Sequence, residues 1–110
     1  MWNLSIPAIL KAYIDYITVT GITFTYTEHG AVGLLKNKKA VNIISRGGDY
    51  CSEPFCSFEM GDRYLRTIFG FFGIAEYTTI SADALDIIGA DIEGIVGKAI
   101  KEAQELAGRF

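Results

Sequence analysis

Ser45-Arg46-Gly47-Gly48 follows directly on the apolar run Ala40-Val41-Asn42-Ile43-Ile44, and this junction could do chemistry without any reactive side chain. Two glycines at the carboxyl end of a strand let the backbone approach a ligand closely, because no Cβ stands in the way. In open α/β sheets, that end of a strand is where ligands bind. The same residues also make an ordinary strand-to-loop turn, and a Gly-Gly pair alone does not decide between the two. A second segment has the same character. Met1-Trp2-Asn3-Leu4-Ser5-Ile6-Pro7 reads as a strand end turning into a helix, with Asn3 and the Trp2 ring free to meet something flat.

Other chemistries have less to build on. No Ser/His/Asp or Cys/His set stands out as a nucleophile with its base. Cys51 and Cys56 are spaced C-x4-C, which is neither a zinc knuckle nor a redox C-x-x-C pair, and His29 is the single histidine. Two free thiols in a reducing compartment are the expectation, with His29 in an exposed turn between Glu28 and Gly30. A net charge of −3 and a pI near 5.0 argue against nucleic acid, whose binding needs clustered Lys and Arg. The basic run Lys36-Asn37-Lys38-Lys39 reads as a solvated loop, with a contact to an acidic cofactor as the alternative. No apolar stretch approaches the roughly 20 residues of a membrane span, and no charged start leads into a long apolar run. A cytoplasmic protein with no membrane or nucleic-acid partner is expected.

The elements that must position the two glycine-bearing and aromatic segments can be read in outline. At 110 residues and 50% hydrophobic content, one domain is the ceiling and a core is affordable in composition. Residues 5 to about 18 predict a helix, with Ser5 as N-cap, Pro7 in the first turn, and Ile6, Leu10, Tyr13, Ile14 and Ile17 at helical spacing. Thr23 to Thr27 alternates polar and aromatic, a short extended excursion turned by Glu28-His29-Gly30. Residues 40–45 predict a strand buried on both faces, as in parallel sheets. The stretch from Arg46 to about Met60 reads as a long irregular loop, often a functional feature. Asp62 is placed as the cap of a helix with Leu65, Ile68, Phe69 and Phe72 as its apolar stripe and Gly73 at its exit. A second strand covers about 75 to 81. A last helix runs from about Asp91 to Ala107 with Ile92, Ile95, Val96, Ala99, Ala103 and Leu106 inward. Strand, helix, strand implies a right-handed parallel crossover. Two parallel strands with open edges make a marginal core, since ordering each residue costs about 1–2 kcal/mol against roughly 25 cal/mol per Å² of apolar burial.

Taken in order, Met1-Trp2-Asn3-Leu4-Ser5-Ile6-Pro7, Leu10-Lys11, Thr23-Phe24-Thr25-Tyr26-Thr27-Glu28-His29-Gly30, Ser45-Arg46-Gly47-Gly48 and Tyr64-Leu65-Arg66-Thr67-Ile68-Phe69-Gly70-Phe71-Phe72-Gly73-Ile74 resemble the FMN-dependent NADH-azoreductases. These belong to the flavodoxin-like NAD(P)H:quinone oxidoreductases. The resemblance covers nearly the whole chain but only the second half of the family's pattern. It implies an α/β flavodoxin-like parallel sheet with flanking helices, here lacking the N-terminal strands, and residues 1–110 as the C-terminal part of one FMN-binding domain.

What the resemblance implies for function is concrete. Met1, Trp2, Asn3 and Leu4 would form one wall of the flavin site, and Ser45, Arg46, Gly47 and Gly48 the other. Their backbone N–H groups would face the polar edge of the isoalloxazine. Arg46 would either add positive potential or form a surface ion pair. The family's reaction takes hydride from NADH or NADPH to FMN and then to a quinone or azo compound, so no catalytic side chain is required. Phe71 matches an aromatic that lines the substrate face from the partner subunit of a homodimer; core packing explains it equally. Tyr26 could line the pocket or sit exposed in a short hairpin. Tyr50 stands where many relatives carry histidine. The family's phosphate-binding loop, which follows its first strand, has no counterpart here, and losing about three charge-assisted bonds would weaken a nanomolar site to micromolar or worse. The competing readings are a truncated, non-catalytic fragment that self-associates, and a flavodoxin-type electron carrier.

Overall fold

The computed structural model describes residues 1–110. Helix α1 (Ala8–Ile17) leads into a hairpin of strands β1 (Phe24–Thr27) and β2 (Gly30–Gly33). Strand β3 (Lys39–Ser45), helix α2 (Gly61–Phe71), strand β4 (Glu76–Ala82) and helix α3 (Ile92–Ala107) follow. β3 and β4 pair in parallel from Lys39↔Glu76 to Ser45↔Ala82, with α2 as their crossover. β1 and β2 form a separate antiparallel pair. The Gly-Ala-Val-Gly strand of this hairpin carries too weak a β pattern to be read from sequence. Its geometry still demands glycine: a Cβ on Gly33 would run into the backbone of Phe72 and Gly73. The hairpin docks there, with Leu35 N–H donating to the Phe72 carbonyl at 2.8 Å.

The helix starts correct two sequence expectations. α1 begins at Ala8 with Pro7 as its flanking residue, so Ser5 does not cap it. Ser5 instead exchanges backbone hydrogen bonds with Trp2, at 2.8 and 2.9 Å, closing a tight turn. Asp62 does not cap α2 either. The cap is Glu59, whose carboxylate accepts from the N–H groups of Asp62 (2.7 Å) and Arg63 (3.3 Å). At α3, which the sequence starts at about Asp91, the Asp91 carboxylate accepts from Gly94 N–H and caps the helix. Gly73, at φ +98°, takes the left-handed conformation that lets α2 end.

Ile14 of α1 meets Leu65 of α2 and Phe72 just past its end, and these three form the buried nucleus. Between α2 and the sheet lies a polar anchor. Asn42 Nδ2, the Tyr77 hydroxyl and the Thr79 hydroxyl all donate to Asp62 Oδ1, at 2.8, 2.8 and 2.7 Å. Burial alone would raise the Asp62 carboxyl. The Asn42, Thr79 and Tyr77 donors, with Arg66 nearby, outweigh it and the net shift is downward. Burial, then the Asp62 carboxylate, push the Tyr77 hydroxyl above its ordinary value.

On the opposite sheet face, Ile80 and Val41 meet Leu106 and Ala103 of α3 around an apolar cleft. Coverage is incomplete. Ile43 is 69% exposed, so β3 is not buried on both faces as its composition suggested. Ile92 and Val96 are also exposed, and the inward stripe of α3 reduces to Ile95, Ala99, Ala103 and Leu106. No helix is long and apolar enough to cross a membrane.

Candidate functional site

The carboxyl ends of β3 and β4 gather the chain's distinctive loops. Behind β3, the carbonyls of Arg46, Gly47 and Gly48 accept from the N–H groups of Leu85, Asp86 and Ala84, at 3.2, 3.0 and 3.0 Å. The loop after β4 is thereby strapped onto the glycine pair. A Cβ on Gly47 would collide with the Asp86 carboxylate, and one on Gly48 would stand 2.8 Å from Cε2 of Tyr50. At both glycines the neighbour is the movable end of a side chain, so packing tightens these positions without by itself requiring glycine. Gly47 and Gly48 N–H donate to no protein acceptor.

Met1 to Leu4 arrive beside this loop. The amino group of Met1 donates to the Ser45 carbonyl at 3.2 Å, on the edge of β3 that β4 leaves open. Asn3 and Leu4 have φ of +45° and +69°, a left-handed pair stabilised from outside by Met60 N–H donating to the Leu4 carbonyl at 2.9 Å. Like the glycine N–H groups, those of Asn3 and Leu4 donate to no protein acceptor. Successive N–H groups in left-handed turns form concavities suited to electron-rich oxygen and nitrogen atoms. Two segments 40 residues apart thus present four free donors, while their carbonyls at Leu4, Gly47 and Gly48 are engaged.

Arg46 is neither a surface ion pair nor an exposed source of potential. Its side chain is 4% exposed, with Nη1 3.2 Å from Asp83 and Nη2 3.4 Å from Glu59. Glu59 also caps α2, so one guanidinium ties the glycine loop to the start of α2 and the end of β4. Its Nε–H is a buried donor without an acceptor. Asp83 additionally accepts from the Ser81 hydroxyl at 2.6 Å and the Cys51 thiol at 2.9 Å. That contact, then burial, raises the Cys51 thiol above its ordinary value. Cys51 and Cys56 are both free.

A cavity of about 690 Å³ opens beside the glycine wall, lined by Leu4, Gly48 and Tyr50 together with Asp49, Glu53, Phe55, Phe58 and Ile87. Its size falls in the range of small-molecule sites. Leu4, Gly48 and Tyr50 thus line one cavity. Trp2 and Asn3 instead line a groove against α1 and Tyr64, and Met1 and Ser45 share a cleft with Leu10 and Leu65. Tyr26 is 68% exposed on the hairpin, its ring edge-on to Phe24. Phe71 is half-buried, its ring centroid 4.7 Å from that of Phe24. Phe55, Phe58, Ile87, Asp86 and the Glu59–Arg46–Asp83 clamp carried no sequence signal of their own. The carboxyl-end rule applied to β4 as well as β3 would have pointed to residues 83–87.

Comparisons with known proteins agree with this geometry. A family profile described as "Flavodoxin-like fold" matches residues 1–107. The chain is 64% identical over 110 residues to an FMN-dependent NADH:quinone oxidoreductase of Caldicellulosiruptor saccharolyticus, covering all of this chain and 55% of that protein. It is 66% identical over 109 residues to FMN-dependent NADH:quinone oxidoreductase 2 of Clostridium acetobutylicum, covering 99% and 54%. The chain thus spans about half the length of the curated relatives it matches. Among solved structures, an azoreductase from Bacillus anthracis superposes with a TM-score of 0.94 at 38% identity, covering 99% of this chain and 52% of that one. An FMN-dependent NADH-azoreductase from the same species, in complex with FMN, superposes with a TM-score of 0.92 at 35% identity, covering 99% and 51%.

Proposed function

The chain belongs to the family with the flavodoxin-like fold, and from this premise we propose that it carries the isoalloxazine-binding part of an FMN-dependent NADH:quinone or azo-compound oxidoreductase. The observation that carries this is a set of N–H donors without protein acceptors, at Asn3, Leu4, Gly47 and Gly48, on two segments that meet at the carboxyl end of β3, where Leu4 and Gly48 line one cavity. These residues fit FMN. The polar rim of its ring offers acceptors that become more electron-rich on reduction, and fixed donors aimed at developing charge stabilise it effectively. When bound, FMN would accept hydride from NADH or NADPH and pass reducing equivalents to a quinone or azo substrate.

The chain's own residues orient and enclose. The Asn3-Leu4 and Gly47-Gly48 donors set the ring's position, and the bonds from Ala84, Leu85 and Asp86 keep the glycine loop from relaxing. Arg46 holds that loop against α2 and β4. Phe55, Phe58 and Ile87 provide an apolar wall that excludes water beside it. No side chain is asked to act as nucleophile or base. In this reading residues 1–110 are the C-terminal part of the domain, the phosphate-binding residues lie elsewhere, and the working form is a cytoplasmic homodimer in which Phe71 and Tyr26 approach the partner's site.

A second reading, a non-catalytic fragment that self-associates, is favoured by the open edge of β3 and the exposed Ile43 beside it. An FMN fluorescence titration separates the two. Saturable quenching at micromolar flavin supports the reductase reading. A helical sample with no quenching overturns it for this chain, and steady NADH oxidation coupled to a quinone would separate a reductase from a one-electron carrier.

A further inference from the structure

The cavity beside the glycine wall combines aromatic surface with one sign of charge. Phe55 and Phe58 are 54% and 47% exposed, and their rings lie 30° apart with centroids 6.3 Å from each other. Solvent-facing aromatics on a loop are costly to leave uncovered, and they are covered best by a flat apolar ring. Polar lining comes from Asp49 and Glu53, and no lysine or arginine lines the cavity. The nearby cation is Arg46, already shared between Glu59 and Asp83, and Asp86 adds another carboxylate against Gly47. Two N–H groups, of Cys51 and Ser52, partly satisfy Asp49. Glu53 accepts only from the Cys56 thiol, at 2.9 Å, and its charge remains available to a ligand.

We propose that this cavity selects flat aromatic acceptors that are neutral or cationic and discriminates against sulfonated or carboxylated ones. The inference rests on the reductase reading for its meaning but is measurable without flavin. Aromatic contact with Phe55 and Phe58 supplies affinity to every flat ligand, and the carboxylates supply the ranking among ligands of equal shape. Two carboxylates about 8 Å from a charged substituent, seen through solvent, are worth roughly fivefold in affinity. Screening at high salt narrows that factor.

The probes are 4-(dimethylamino)azobenzene and its 4′-trimethylammonium and 4′-sulfonate derivatives, titrated into the 110-residue chain and followed by visible absorbance and equilibrium dialysis. The cationic dye is expected to bind tightest and the sulfonate roughly fivefold weaker than the neutral dye. Glu53→Gln should narrow the gap, Glu53→Arg should close it because the new cation offsets Asp49, and Phe58→Ala should weaken all three alike. Equal affinity for the three dyes, or a gap unmoved by Glu53→Arg in a variant with unchanged far-UV circular dichroism, overturns the proposal. An FMN titration on the same samples keeps the two readings apart. Ranked dye binding without flavin quenching sinks the reductase reading alone, and flavin quenching without dye ranking sinks the pocket alone.

Discussion

Gly48→Val tests the flavin wall at its tightest point. A Cβ at residue 48 would stand 2.8 Å from Cε2 and 3.2 Å from Cζ of Tyr50, and valine adds two methyl groups beyond it. The Tyr50 ring can swing away, but the Gly48 carbonyl is held by Ala84 N–H, so the peptide cannot retreat without releasing the loop after β4. Retreat of the peptide displaces the N–H groups of Gly47 and Gly48, and a swing of the ring leaves the valine methyls standing between those groups and a ligand. Hydrogen bonds to the neutral oxidised ring are worth about 0.5–1.5 kcal/mol each, so losing both costs about 1–3 kcal/mol, or roughly one to two decades of affinity. The assay is an FMN fluorescence titration beside far-UV circular dichroism. Wild type should quench saturably at micromolar FMN, and Gly48→Val should move the midpoint up by roughly tenfold to a hundredfold with its helix content kept. Gly70→Ala is the control, because a Cβ there meets nothing within 4 Å. An unchanged titration for Gly48→Val would refute the argument that the glycine wall holds the ring.

Three stability predictions follow from the same geometry. Asp62→Ala removes the acceptor of three hydrogen bonds and strands Asn42, Tyr77 and Thr79, so chemical denaturation should show a loss of about 3–5 kcal/mol. Because the folded Asp62 carboxyl is shifted downward, its contribution is present above the ordinary carboxylate pKa and lost as pH falls through the folded value; Asp62→Asn should flatten that acid limb in a pH series of melting curves. Arg46→Lys keeps the charge but cannot span Glu59 and Asp83 as the guanidinium does, and it should lower the melting temperature by several degrees without removing helix content. Gly97→Ala, in open space on α3, should stabilise by about 0.5–1 kcal/mol in the same denaturation assay, whereas Gly94→Ala should not, because Asp91 fills the space its Cβ needs.

The sequence made the parallel pair, the three helices and the glycine loop legible because each rests on local signals: an apolar run, a helical stripe, a turn residue. The stripe of α3 places its start at about Asp91, and the cap that Asp91 provides is a finding of the structure. Asp62 reads as the cap of α2 in place of Glu59 because a carboxylate just outside a helix and one in its first turn look alike until the sheet claims the second. Ile92 and Val96 satisfied the period of α3, yet periodicity reports which residues share a face and not whether anything lies opposite. Arg46 could not be placed from its neighbours, since both of its partners are more than ten residues away. The pair of donors at Asn3 and Leu4 depends on left-handed backbone in two non-glycine residues, which no propensity foretells.

The surface itself predicts behaviour that both readings of function require. A folded monomer of 12.1 kDa exposes about 6,000 Å², whereas this chain exposes 7493 Å², a surplus of roughly 1,500 Å². Its radius of gyration is 16.1 Å, against about 13 Å for a compact domain of this length. The surplus is about twice what one partner covers in a standard interface, and it includes Ile43 beside the open edge of β3 and the fully exposed Ile88. Sedimentation velocity should therefore show concentration-dependent association, weakened by Ile43→Lys; a monomer across about two decades of concentration would contradict the area argument. The proposed flavin site lies at the end of that same open edge, where Met1 reaches Ser45. If covering the edge completes the site, linkage makes apparent FMN affinity rise with protein concentration. If association proceeds while FMN affinity stays constant, the edge and the site are independent, and the four donors are already fixed within one chain.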